Sequence, residues 1–166
     1  MDDGIARMGE VVFSRPGQVE LRALGLGSCI GLCVFDPAIK LGCIAHIVLP
    51  QSKISETVDV GKYADTAVPY VVKEMAARGA IQSRLRIAIA GGAQLFSFGG
   101  SDSRLDVGRR NAESVKQLLG QMKLRLVAED IGGKSGRTVT MNTSTGEIMV
   151  KQAGGEPKLL ANLTSR

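Results

Sequence analysis

The sequence has no tryptophan, one histidine, three cysteines and only 4% aromatic residues. So few rings leave little for nucleic-acid bases to stack on, and no nucleic-acid partner is expected. With a single histidine, His46, every site built on two is excluded, including the two-histidine zinc-hydrolase motif. No apolar run approaches the ~18 residues a membrane-spanning helix needs, so no membrane insertion is expected; Cys29 to Phe35 is among the longest. Long charge runs are missing too, because the 21 Lys and Arg and 16 Asp and Glu that give a net charge of +5 are scattered. The start, Met1-Asp2-Asp3-Gly4, is acidic with no apolar stretch behind it, which argues against a secretory signal. A cytoplasmic protein with reduced thiols is the expectation.

What is present suits one α/β domain over residues 1–166, since 44% of the chain is hydrophobic. Strand-like segments are Gln18 to Leu26, Cys29 to Phe35, Leu41 to Leu49, Leu85 to Ala90, Leu124 to Glu129, Thr138 to Asn142 and Ile148 to Lys151. Helical spacing appears in Lys62 to Arg78, with apolar Ala64, Ala67, Val68, Val71, Val72 and Met75, and again in Arg109 to Met122. Gly79 sits where a helix should stop. The order predicts a mixed-sheet sandwich with helices packed on the sheet, and a peripheral tail over 152–166.

Leu24-Gly25-Leu26-Gly27-Ser28-Cys29 sets a thiol directly after two glycines that allow close backbone approach. The strands that follow read as a hairpin around Asp36-Pro37-Ala38-Ile39-Lys40. Cross-strand partners in a hairpin share a constant sum of residue numbers. A turn centred between Pro37 and Ala38 sets Cys29 opposite His46 on one face, with Cβ atoms roughly 5 Å apart. A thiol and an imidazole so placed can act as nucleophile and base, whereas a slip of one residue would part them. The plainer reading is that buried cysteines and a lone histidine are structural. It suits Cys33 and Cys43, which lie mid-strand, better than Cys29, which leaves a glycine-rich turn where solvent reaches it.

Cys29, Cys33, Cys43 and His46 form a nominal zinc set, but Cys29 and Cys33 would lie roughly 13 Å apart along a strand. Cys43 and His46 would point to opposite faces. Two further near-motifs fail. Gly25-x-Gly27 is followed by Ile30 and a strand rather than by a third glycine and a helix. Gly133-Lys134-Ser135 resembles the end of a phosphate loop, yet Ala128 stands at its first glycine and a strand follows.

Taken together, several stretches resemble the chemoreceptor glutamine deamidase family CheD. They are Leu24 to Cys29, Asp36-Pro37, Ala45-His46 with Leu49-Pro50, Gly61 to Ala67, Ala90 to Ala93, Gly108 to Asn111 and Glu129 to Gly133. They run in family order from about Gly9 to Val150. The resemblance implies a cysteine amidohydrolase that converts receptor glutamines to glutamate and releases ammonia. It places the nucleophile on Cys29 and the base on His46, and implies a compact α/β sandwich. It also implies methyl-accepting chemotaxis receptors as protein substrate and a CheC-type phosphatase as a partner. No metal or organic cofactor is called for. Backbone N–H groups at Gly27 and Ser28 are the expected oxyanion and substrate contacts. One position departs from the pattern. Where the family often has a threonine that orients the histidine, this chain has Ala23. A backbone carbonyl, Ser28 or Thr66 would then have to hold the ring. The alternative is a regulatory binding module for receptors or a CheC-like phosphatase, with weakened catalysis.

Overall fold

The two central strands are buried along their whole length, because each is covered on both faces. In the computed structural model, which describes residues 3–52, 59–95 and 106–164, these are β3 (Ile30–Asp36) and β4 (Leu41–Ile47). Such strands read as nearly continuous apolar runs rather than as alternation, which is why Ile30 to Phe35 carries no polar side chain. They belong to a five-stranded sheet ordered β1-β4-β3-β5-β6, with β1 at Val11–Ser14, β5 at Arg86–Gly91 and β6 at Arg125–Ile131. Its β5–β6 pair is parallel and the others are antiparallel.

A second, antiparallel sheet is ordered β2-β7-β8-β9, from Leu21–Leu26, Arg137–Asn142, Glu147–Gln152 and Lys158–Asn162. The described residues also form two α-helices, α1 (Ala64–Ala77) and α2 (Val107–Gln121). One face of the larger sheet packs on the helices through Ile30, Leu32, Cys43, Ala45, Met75 and Val115. The other face packs on the smaller sheet through Cys29, Cys33, Phe35, Ile44, Leu26 and Val139. This is the expected α/β sandwich, with the strands divided between two sheets.

The predicted segments correspond to the observed elements within a few residues, and Gly79 ends α1 with φ +102 and its N–H on Ala76 O. Asp106 caps α2 by accepting from the Arg109 N–H at 3.2 Å. Two strands were not expected. β1 runs along β4, and β9, inside the tail expected to be peripheral, extends the smaller sheet beyond β8.

The hairpin register differs from the expected one. Asp36 pairs with Leu41, Gly31 with His46 and Ile30 with Ile47, so the turn centre lies one residue later, between Ala38 and Ile39. The cause is local. The Asp36 carboxylate accepts from the Ala38 N–H at 2.9 Å, and the Ile81 N–H and the Arg84 guanidinium also bond to it. Asp36 is thereby held at the end of the strand, leaving a four-residue turn, Pro37 to Lys40, that Lys40 closes at φ +54. The pair sum moves by two, which preserves parity. Cys29 and His46 therefore keep the same face, but as diagonal neighbours, which in a regular sheet are roughly 7–8 Å apart.

Candidate active site

Cys29 lies just before β3, and His46 is the sixth residue of β4. Directly opposite His46 stands Gly31, against which the side chains of Leu26 and Val139 pack on that face. Cys29 is 7% exposed and His46 3% exposed, so the thiol is less open to solvent than its glycine-rich surroundings suggested. Cys33 and Cys43 are fully buried on opposite faces of the sheet, Cys33 with His46 and Cys43 against the helices.

The imidazole is fixed from one side. Its Nδ1 lies 2.8 Å from the main-chain oxygen of Ala6. A carbonyl oxygen only accepts, so Nδ1 carries the proton and Nε2 presents its lone pair. Nε2 is buried and has no hydrogen-bond partner among the described residues. Burial lowers the pKa of His46, opposed by the bond to Ala6 and by the charge of Glu10. Burial likewise raises the pKa of Cys29. Burial thus disfavours the charged form of each group.

Of the groups expected to orient the ring in place of a threonine at 23, the backbone carbonyl alone does so. The Thr66 hydroxyl instead donates to Val60 O and Tyr63 O at the start of α1. Ser28 is engaged through its main chain, its carbonyl accepting from the Asn111 side chain.

The loop carrying Cys29 is held by its oxygens. Gly27 O accepts from the Ala93 N–H at 2.8 Å, Ser28 O from Asn111 Nδ2 at 2.9 Å, and Cys29 O from the Gly92 N–H at 2.9 Å. Three consecutive carbonyls are thus committed to the segment after β5 and to α2. Close approach there requires glycine. A Cβ on Gly91, which has φ +116, would lie 2.1 Å from Cys29 O, and one on Gly108 would lie 2.4 Å from Ala93 O.

Asn111 is fully buried, and its Nδ2 also donates to Val48 O at 2.9 Å, tying together the segments that follow His46 and precede Cys29. Sequence reasoning gave Asn111 no role. Its signal was a polar residue within the buried stripe of α2, beside Ala112 and one turn before Val115. Ala6 gave no signal, since its contribution is a main-chain oxygen.

Behind these loops, Gly91 O accepts from the Gly132 N–H at 3.0 Å, and Gly133 O from the Gln94 N–H at 2.9 Å. The buried Arg137 braces that segment through Asp130, Gly132 O and Ser135 O. The stretches Leu24 to Cys29, Ala90 to Ala93, Gly108 to Asn111 and Glu129 to Gly133, far apart in sequence, are therefore linked by hydrogen bonds behind the loop that carries Cys29. A cleft of about 390 Å³ opens beyond them, lined by Gly92, Gln94, Asp106, Arg109, Lys116 and Gly133; neither Cys29 nor His46 lines it.

A family model described as CheD chemotactic sensory transduction matches residues 48–152. The "Probable chemoreceptor glutamine deamidase CheD" of Symbiobacterium thermophilum is 44% identical over 156 residues, covering 92% of this chain and 94% of that protein. The chain belongs to the CheD family. The "Chemoreceptor glutamine deamidase CheD" of Thermotoga maritima is 43% identical over 148 residues, 89% of this chain and 90% of its own length. A CheD protein of Desulfitobacterium hafniense is 44% identical over 140 residues, covering 84% of this chain and 88% of that protein. The family model begins at Val48, beyond the thiol and the imidazole, whereas a match over 92% of the chain takes in both.

Proposed function

We propose that this protein deamidates glutamine side chains of chemotaxis receptors, with Cys29 as nucleophile and His46 as general base. The substrate class follows from the names of its relatives. The observation that carries the chemistry is the unpartnered lone pair of His46 Nε2, buried on the same face as Cys29 while Nδ1 is held by Ala6.

In this mechanism Nε2 takes the Cys29 proton as the sulfur attacks the glutamine side-chain carbonyl carbon. The carbonyl oxygen becomes an oxyanion. Backbone N–H groups at Gly27, Ser28 and Cys29 serve as its donors in this reading, on a loop whose carbonyls at 27 to 29 are already engaged. The imidazolium returns the proton to the departing nitrogen, ammonia leaves, and a thioester remains. Water then attacks the thioester with His46 as base, giving glutamate and restoring the thiol. No step calls for a metal or organic cofactor.

A cytoplasmic location and a CheC-type phosphatase partner belong to the same reading, through the family resemblance. The alternative of a binding module with weakened catalysis drew on Ala23, and the Ala6 oxygen at Nδ1 counts against it.

Ammonia release from a purified receptor cytoplasmic fragment tests the function. Release should stop when Cys29 is alkylated, and native protein should take the label at Cys29 before the fully buried Cys33 and Cys43. Burial pushes the Cys33 thiol up to about 12, so it stays inert in the folded protein. Equal labelling of all three cysteines would favour the binding-module reading.

A further inference from the structure

We propose that the N-terminal strap, residues 3–10, is the positioning element for His46, acting through the Ala6 carbonyl where the family pattern often supplies a threonine hydroxyl from position 23. This rests on the Cys29–His46 reading above and adds the group that keeps the base in its working tautomer.

The strap holds His46 at three points. The Gly9 N–H donates to His46 O at 2.9 Å, the His46 N–H donates to Glu10 O at 3.0 Å, and the ring N–H meets Ala6 O at 2.8 Å. Ala6 is in turn fixed to β2. Its N–H donates to Arg22 O at 2.7 Å, the Arg22 N–H donates to Gly4 O at 2.8 Å, and Ile5 bridges Arg22 in parallel. Both Ala6 and Ala23 are fully buried, in the core cluster that contains Cys29. With a methyl at 23 there is no hydroxyl to engage Nδ1, and the strap oxygen occupies it.

The tautomer is the functional consequence. With its proton on Nδ1, the ring offers Nε2 as an acceptor for the thiol proton. With its proton on Nε2, the Nδ1 lone pair would face the Ala6 oxygen and the buried N–H would have no acceptor among the described residues. A strap lifted from β2 frees the ring to take the Nε2–H form, which cannot accept from Cys29.

His46 is the only histidine in the chain, so ¹⁵N NMR of the full-length protein reports its tautomer without overlap. Wild type should show the Nδ1–H form, and an Nε2–H form there overturns the proposal. Two full-length variants lift the strap. Gly4→Val puts a Cβ 2.2 Å from Glu20 O at a position with φ +76, and Ala6→Pro removes the N–H held by Arg22 O. Each should lose the Nδ1–H signature and lower kcat on the order of tenfold or more, with KM nearly unchanged. A kcat equal to wild type in both, or a fall in kcat with the Nδ1–H form retained, contradicts a positioning role. If neither variant folds, the wild-type spectrum still decides. Cys29→Ala run alongside separates the two ideas: full activity there removes the dyad itself. Loss there with unchanged kcat in the strap variants removes only the strap's role.

Discussion

Gly31 faces His46 across the β3–β4 ladder, and Leu26 and Val139 pack over it on the face that Cys29 shares. A Cβ at 31 would sit 3.0 Å from methyl groups of both Leu26 and Val139, so even alanine is tight. Gly31→Val should cost about 1–3 kcal/mol through overpacking. It should also lower kcat, because β3 must shift against Leu26 and Val139 at the very position that pairs with His46. Urea melts paired with ammonia-release kinetics check both halves of the prediction.

Asn111 supplies two donors to two buried carbonyls, Ser28 O and Val48 O. Asn111→Ala leaves both oxygens unmet and should cost about 1–3 kcal/mol. Asn111→Asp should be worse at neutral pH, since an ionised acid there faces carbonyl lone pairs. Burial and those oxygens would raise the introduced acid's pKa in the folded state. The folded variant then holds a proton that the unfolded chain releases, and its stability should decline as pH rises. Thermal melts of Asn111→Asp at pH 5 and pH 8 give the sign directly, with the higher melting point expected at pH 5.

Glycines at the site and on the surface should respond in opposite directions. Gly91→Ala drives a methyl into Cys29 O in a left-handed backbone position and should cost about 2–4 kcal/mol. Gly120→Ala, on the exposed face of α2 with nothing within 4 Å, should stabilise by up to about 1 kcal/mol. Parallel denaturant melts make the comparison.

The chemical pattern around Cys29 was more legible in the sequence than the distances. A strand's period of two put Cys29 and His46 on one face whichever even register held, so the shared face survived an error in the turn. The turn is not legible in the same way, because nothing in Pro37 to Lys40 marks a lysine for positive φ. The grip of Ile81 and Arg84 on Asp36 also comes from 45 and 48 residues away. β9 has no sequence signature because it is a half-exposed edge strand without strict alternation. The helices were plain from their apolar stripes, but Asn111 reaches Ser28 across 83 residues and Val48 across 63, contacts that no local pattern encodes.

The pH dependence of the reaction should follow the depressed pKa of His46. Burial keeps the ring neutral below the ordinary imidazole value of about 6.5, so the acid limb of kcat/KM should fall at lower pH than that. Stability carries the same sign. The unfolded chain takes a proton on His46 that the folded protein refuses, so this contribution is present above about pH 6.5 and is lost as pH falls through the folded pKa. His46→Gln should remove that component of the acid-side loss, measured as the difference between melting curves at pH 5 and pH 7.

The most direct test of the central claim is mass spectrometry of receptor cytoplasmic fragments incubated with wild-type protein and with Cys29→Ala. Wild type should convert particular glutamines to glutamate, each with the mass change from amide to acid, while Cys29→Ala leaves the same peptides unaltered. Conversion by Cys29→Ala at the wild-type rate would contradict the account.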